Sequence, residues 1–124
     1  MKIEVSNGEI LDKLSIIEIK LNRINDEKKL KNIRIEYEVL NLAASKILPK
    51  SDPLYIKLFE INSNLWNIED LCRAFEKQKD FGDEFIHTVR QVYIFNDERS
   101  RIKKEINIKT GSHIVEEKSY EEYD

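Results

Sequence analysis

Four runs of apolar residues recur at alternating four- and three-residue spacing, and short polar breaks separate them. At 3.6 residues per turn, that spacing gathers each run on one face of an α-helix. The first run is Ile10, Leu14, Ile17, Leu21 and Ile24. Ser6 precedes it as an N-cap, and Glu9 follows three residues later, the spacing of a capping box; Val5 and Ile10 stand at the staple positions. The second run is Leu30, Ile33, Tyr37, Leu40, Ala44 and Ile47, and it stops before Pro49, whose ring does not fit a helix interior. Ser51 or Asp52 caps the third helix, with Pro53 in its first turn. Its stripe is Leu54, Leu58, Ile61, Leu65, Ile68, Cys72 and Phe75. After the break KDFGD (79–83), Asp83 caps a fourth helix with Phe85, Val89, Val92, Phe95, Ile102 and Ile106, closed by Thr110-Gly111.

The spacing therefore predicts helices over about 7–24, 27–48, 52–79 and 83–109, followed by a C-terminal tail over 111–124. Short connections favour antiparallel neighbours. The expected fold is all-α, a single helical domain over 1–124: an up-down-up-down four-helix bundle or a pair of long helical hairpins. KIEVS (2–6) alternates and is β-branched, which suits a short strand, and HIVEE in the tail suits an extended segment near it.

Charge narrows the function classes. With 21 basic against 24 acidic residues the net charge is −3, so the net positive field used in nonspecific nucleic-acid binding is absent. The lone cysteine, Cys72, has no intramolecular disulfide partner, which points to a reducing, cytoplasmic compartment. MKIEVSNGEI lacks the apolar run of a secretory signal, and no run approaches the roughly 20 residues of a membrane span.

Several polar residues do not fit a simple amphipathic scheme. Glu9 is accounted for by the capping box. Asp12 lies opposite the first stripe, together with Ile16 and Ile19. It is either a solvated first-turn acid favoured by the helix dipole or an acid at the edge of a contact, facing a Lys, an Arg or a backbone N–H. Two isoleucines on an outer face call for a cover, either the C-terminal tail or a second copy, so a homodimer is expected. An unidentified protein partner is also compatible. Arg99 falls within the apolar stripe of the fourth helix, with Asn96 on the same side, while Asn62 and Glu69 flank the third stripe. In an antiparallel hairpin these positions come level, and the first helix brings Glu18 or Ser15 to a similar height. The expected constellation is Glu18, Asn62, Glu69, Asn96 and Arg99, with Arg99 buried against Glu69 or Glu18. It reads either as a structural polar layer or as a ligand site between helices.

The usual catalytic sets are missing. His87 and His113 have no partners at zinc-ligand spacing. Cys72 sits in a core stripe with no base beside it, and Gly8, Gly82 and Gly111 form no phosphate loop.

GEILDKLSIIEIK (8–20), NDERSRIKKEIN (96–107) and VEEKSY (115–120) together resemble an uncharacterised family of short, mostly helical bacterial proteins, a domain of unknown function. The resemblance spans nearly the whole chain and implies a compact stand-alone domain with no established activity. It directs attention to Glu9, Asp12, Lys13, Asn96, Asp97, Arg99 and Lys103. A looser likeness is to all-α nucleoside triphosphate pyrophosphohydrolases, which hold Mg²⁺ with Glu-Glu-x-x-Glu on one helix and Glu-x-x-Asp on another. Glu9 and Asp12 match the second half, and the first half is absent. The expected function is thus a non-enzymatic helical protein acting by self-association or partner binding, without a cofactor. The alternative is a Mg²⁺-dependent nucleotide hydrolase.

Overall fold

A computed structural model describes residues 1–123 of the chain; Asp124, the last residue of the expected tail, lies outside the described residues. The four helices are α1 (Asn7–Arg23), α2 (Glu27–Ser45), α3 (Pro53–Gln78) and α4 (Asp83–Lys109). Asp26 caps α2 by accepting from Lys28 N and Lys29 N, and Asp52 caps α3 by accepting from Leu54 N. Gly82, not Asp83, occupies the N-cap of α4, and Asp83 moves into the first turn, where its charge still suits the helix dipole. α2 stops at Ser45, short of the expected 48, because the chain must leave helical geometry ahead of Pro49.

The architecture is all-α, organised around α1. Helices α2, α3 and α4 all pack on α1, α3 pairs with α4, and α2 comes close to α1 alone. Gly8 meets Asn107, Glu9 meets Lys103 and Asp12 meets Arg99, so α4 runs antiparallel to α1. Asp52 meets Lys109 at one end of the α3–α4 pair and Phe75 meets Phe85 at the other, which makes that pair an antiparallel hairpin. Two hairpins, α1–α2 and α3–α4, thus share α1 as the common element.

The central place of α1 changes which of its residues are buried. Leu14 and Ile17 are buried as the stripe predicts, but so are Leu11, Asp12, Ser15 and Ile19, while Ile10, Leu21 and Ile24 are half-buried. Asn62 of α3 bonds Asp12 and Ser15, so α3 lies over the side where Ile19 also sits, one turn further on. Ile19 is 2% exposed within the single chain, and its burial needs no second copy. Ile16 is only half-covered.

The core unites Leu11, Leu14 and Ile17 with Leu30, Ile33 and Ala44 of α2, Leu58, Ile61 and Leu65 of α3, and Ile102 and Ile106 of α4. At 1.5 Å per residue α3 and α4 reach about 40 Å, while α1 reaches only about 25 Å. The hairpin therefore outruns the core. Cys72, Phe75 and Phe85 are half-buried and Val89 is exposed, although the spacing puts all of them on core stripes. The far end is held by edge-to-face rings, with Phe85 6.0 Å from Phe75 and 5.2 Å from Phe81. No helix among the described residues is long and apolar enough to cross a membrane.

No strand forms among the described residues; 2–6 and 114–123 are irregular. An isolated two-stranded pairing is marginal in water, and side chains join the two ends instead. His113 Nδ1 lies 3.0 Å from a Glu4 carboxylate oxygen, and Ser6 Oγ donates to Glu116.

The first turn of α1 is completed by residues from the far end of the chain. Ser112 Oγ accepts from Asn7 N at 3.0 Å, Asn107 Oδ1 from Gly8 N at 2.6 Å, and Ser6 Oγ from Glu9 N at 3.1 Å. These are the N–H groups that a helix start leaves without partners. Gly8 is needed for the approach: a Cβ there would lie 2.5 Å from the Lys103 backbone oxygen. Gly8→Ala should therefore destabilise the fold by about 1–3 kcal/mol, the range for overpacking, read as a lower urea midpoint with an unchanged m-value.

Candidate functional site

On α1, Glu9 and Asp12 stand three residues apart; on α4, Arg99 and Lys103 stand four apart. Both spacings keep the pair on one helical face. Because the helices are antiparallel, Glu9 falls opposite Lys103 and Asp12 opposite Arg99. Arg99 donates from Nε to Asp12 Oδ1 at 2.9 Å and from Nη2 to Asp12 Oδ2 at 2.5 Å, a bidentate fork. Asn62 Nδ2 donates to the same Asp12 Oδ1 at 2.8 Å and to Ser15 Oγ at 2.7 Å. Lys103 Nζ donates to Glu9 Oε2 at 2.6 Å and stands 3.8 Å from Asp12 Oδ2. Lys13, on the exposed side, lies 3.6 Å from Glu9.

The Asp12 side chain is 1% exposed and Arg99 is 28% exposed. A carboxylate so deeply buried must be paired and hydrogen-bonded, and the Arg99 fork with Asn62 does both. The Asp12 hydrogen bond is the main influence holding the Arg99 guanidinium above its ordinary pKa; burial opposes it. For Glu9, burial pushes the carboxyl upward, but the hydrogen bond and charge of Lys103 outweigh that and hold it below the ordinary glutamate value. The two acids and two bases form a neutral quartet where α1, α3 and α4 meet, with Asp12 at its buried end.

The structure keeps part of the expected constellation and corrects the rest. Asn62 and Arg99 meet, and Asn96 Oδ1 accepts a 3.3 Å bond from Arg99 Nη1. The acid that pairs with Arg99 is Asp12, not Glu69 or Glu18. Glu69 is 52% exposed and lies 3.8 Å from Arg73 on its own helix. Glu18 belongs to a separate cluster, where it accepts from Tyr55 OH at 2.6 Å and stands 3.1 Å from Lys50 Nζ. Burial and the Glu18 carboxylate push the Tyr55 hydroxyl upward, which keeps it a donor. Asp12 is an acid in contact with an Arg, and not a solvated first-turn acid. The capping box is half formed. Ser6 caps the Glu9 N–H, but the Glu9 carboxylate crosses to Lys103 and does not fold back. Asp97 faces the tail, accepting from Tyr123 OH at 2.8 Å.

Asn107 and Tyr55 are buried participants that spacing did not reveal. For Asn107 the available signal was its step of eight from Arg99 along the line 99, 103, 107. For Tyr55 there was none beyond a place beside the third stripe.

Glu9 and Asp12 already face cationic side chains, and among the described residues no group of three or more His, Cys, Asp or Glu side chains stands together as metal ligands. What lies open is the outer side of α4. Between it and the tail runs a groove made of two adjoining cavities of about 640 and 550 Å³. Arg99, Ser100, Lys103, Lys104 and Asp97 line it on the helix side, and Lys118 and Tyr120 on the tail side.

The relative burial of the ion pair decides which loss costs more. The sequence alone suggests that Arg99→Met is milder than loss of the acid. The geometry reverses that order, because Arg99 can turn toward the groove while Asp12 cannot reach water. Arg99→Met should cost about 3–5 kcal/mol, the cost of stranding a buried charge. Arg99→Met combined with Asp12→Asn should recover part of it. Asp12→Asn alone should cost less than Arg99→Met, and urea unfolding of the two single variants and the double variant checks the order.

No curated protein and no solved structure matches the chain. One family matches residues 1–123, nearly the whole length. The chain belongs to DUF6165, a family of unknown function.

Proposed function

We propose that the chain is a non-enzymatic binding domain whose working surface is the outer face of α4, along the groove roofed by its tail. The observation that carries this reading is the division of labour on α4. Its inner side is consumed by the quartet with Glu9 and Asp12, which leaves those carboxylates no free role in acid–base or metal chemistry. Its outer side presents cavities of about 640 and 550 Å³ with mixed polar and aromatic walls. Two functions are thus separated by one helix, with the inner face holding the fold and the outer face open to a partner. The lone Cys72 supports a cytoplasmic location.

Crosslinking of the full chain through lysines in native lysate tests the reading. Crosslinks to another protein should concentrate at Lys104 and Lys118, on the groove, over Lys57 and Lys77, which are exposed elsewhere. An even spread over all lysines would overturn it, as would pyrophosphate release from a nucleotide with Mg²⁺.

Self-association is a second reading, favoured by one feature. Ile35, Val39 and Leu42 are exposed at i, i+4 and i+7 on the side of α2 turned away from α1. A monomeric mass by light scattering at micromolar concentration, unchanged by Val39→Lys, would remove it.

A further inference from the structure

The tail lies on α4 in the manner of a ligand. Up to Glu116 the chain is fixed: Ser112 N donates to Asn107 O at 2.9 Å, Ser112 Oγ donates to Ile114 O at 2.6 Å, and Glu116 accepts from the buried Ser6 Oγ. Beyond that point residues 117–123 are exposed and irregular. Lys104 Nζ donates to Glu117 at 2.8 Å, and Tyr123 OH donates to Asp97 at 2.8 Å. The Tyr123 ring stands edge-on to Tyr93, 5.5 Å away. Residue numbers rise along the tail as they fall along α4, so the tail runs antiparallel to the helix.

The lengths do not match. From Lys104 to Asp97 is seven residues of helix, about 10 Å. From Glu117 to Tyr123 is six residues of chain, able to span about 20 Å when extended. The tail is slack, and the cavity of about 640 Å³ is the space beneath its arch. Past Glu116 its ion pair is exposed, with Lys104 at 46% and Glu117 at 72%, and exposed pairs of this kind hold weakly. The segment makes no contribution to the core.

We propose that the outer face of α4 is a docking groove for an extended acidic segment of another protein, one carrying a tyrosine about six residues after a glutamate or aspartate, and that the chain's own tail is the placeholder which that segment displaces. This rests on the binding-domain reading above and names its ligand. The charge arrangement supports it. Lys104, with Arg101 one turn away, receives a carboxylate, while Asp97 receives a phenol hydroxyl and Tyr93 meets its ring edge to face. A groove two helical turns long that already holds a peptide suits another peptide better than a compact solute. A tethered tail competes at high effective concentration, so a partner segment must fit better than the slack tail does, and weakening the tail must expose the groove.

The probe is a labelled peptide of residues 113–123 added to the full chain, followed by fluorescence anisotropy. Wild type is compared with the full-length double variant Glu117→Ala/Tyr123→Ala, which leaves the core untouched. The double variant should bind the peptide at least tenfold more tightly. Adding Lys104→Glu should abolish that binding, and a peptide carrying Glu117→Lys should restore it. Thermal melts confirm that the variants, altered only at surface positions, remain folded; if Lys104→Glu does not, Lys104→Ala with at least a tenfold loss takes its place. Equal binding by wild type and double variant would overturn the proposal, as would no binding at millimolar peptide or indifference to the Lys104 substitution. A wild-type dimer that becomes monomeric in the double variant would overturn it too, by assigning the groove to the tail of a second copy. If lysine crosslinks map a partner to α4 while the peptide fails, only the ligand class falls. If no partner maps there, the binding-domain reading itself falls.

Discussion

The buried carboxylate of Asp12 is the interaction on which the arrangement of helices turns. It sits on the one helix that touches all the others, and its partners come from α3 and α4. Apolar contacts alone are tolerant of sliding, since one leucine can replace another in a neighbouring hole. A carboxylate that needs Asn62 on one side and the Arg99 fork on the other permits one register only. Asn62 satisfies Asp12 and Ser15 at once, and Lys103 ties Glu9 one turn away, so the α1–α4 pairing is defined at successive levels. The cost of burying charge is offset by complete pairing: among the described residues, no buried side-chain nitrogen or oxygen lacks a hydrogen-bond partner.

The helices and most of the core were legible in the sequence, because 3.6-residue periodicity and the punctuation of Ser6, Asp52, Pro53 and Gly111 are local signals. Burial around α1 was not. Periodicity assumes one buried face per helix, and a helix enclosed on several sides violates that assumption. Ile19 then called for a cover from the tail or a second copy, and Asp12 stood open between a solvated acid and one at a contact, when both are interior to the single chain. The same assumption hid the true partner of Arg99. That Arg99 needed an acid followed from its place on an apolar stripe, and its level with Asn62 followed from the hairpin. Which of several acids would arrive depended on the rotation of α1, which no local pattern encodes. Val89 erred the other way, since periodicity cannot show that a hairpin outlasts its support.

The site residues divide according to which side of α4 they face. Arg99 and Lys103 look inward to the acids of α1, while Asp97 and Lys104 look outward to the tail. The stretch NDERSRIKKEIN therefore serves two surfaces in a dozen residues. A substitution at its inward positions breaks the quartet with Glu9 and Asp12, whereas one at Asp97 or Lys104 leaves that quartet intact.

The start of α1 carries a consequence for how the chain assembles. Asn7 and Gly8 obtain their partners from residues 105 and 99 positions further along. Each hairpin joins neighbours in sequence and can close quickly, whereas joining the two hairpins closes the longest loop in the molecule. Within the α1–α2 hairpin alone Asp12 has no ionic partner and the first turn is unfinished, because both take their partners from α4 and the residues just after it. The docking of α4 on α1 thus neutralises the buried acid and completes the opening turn together.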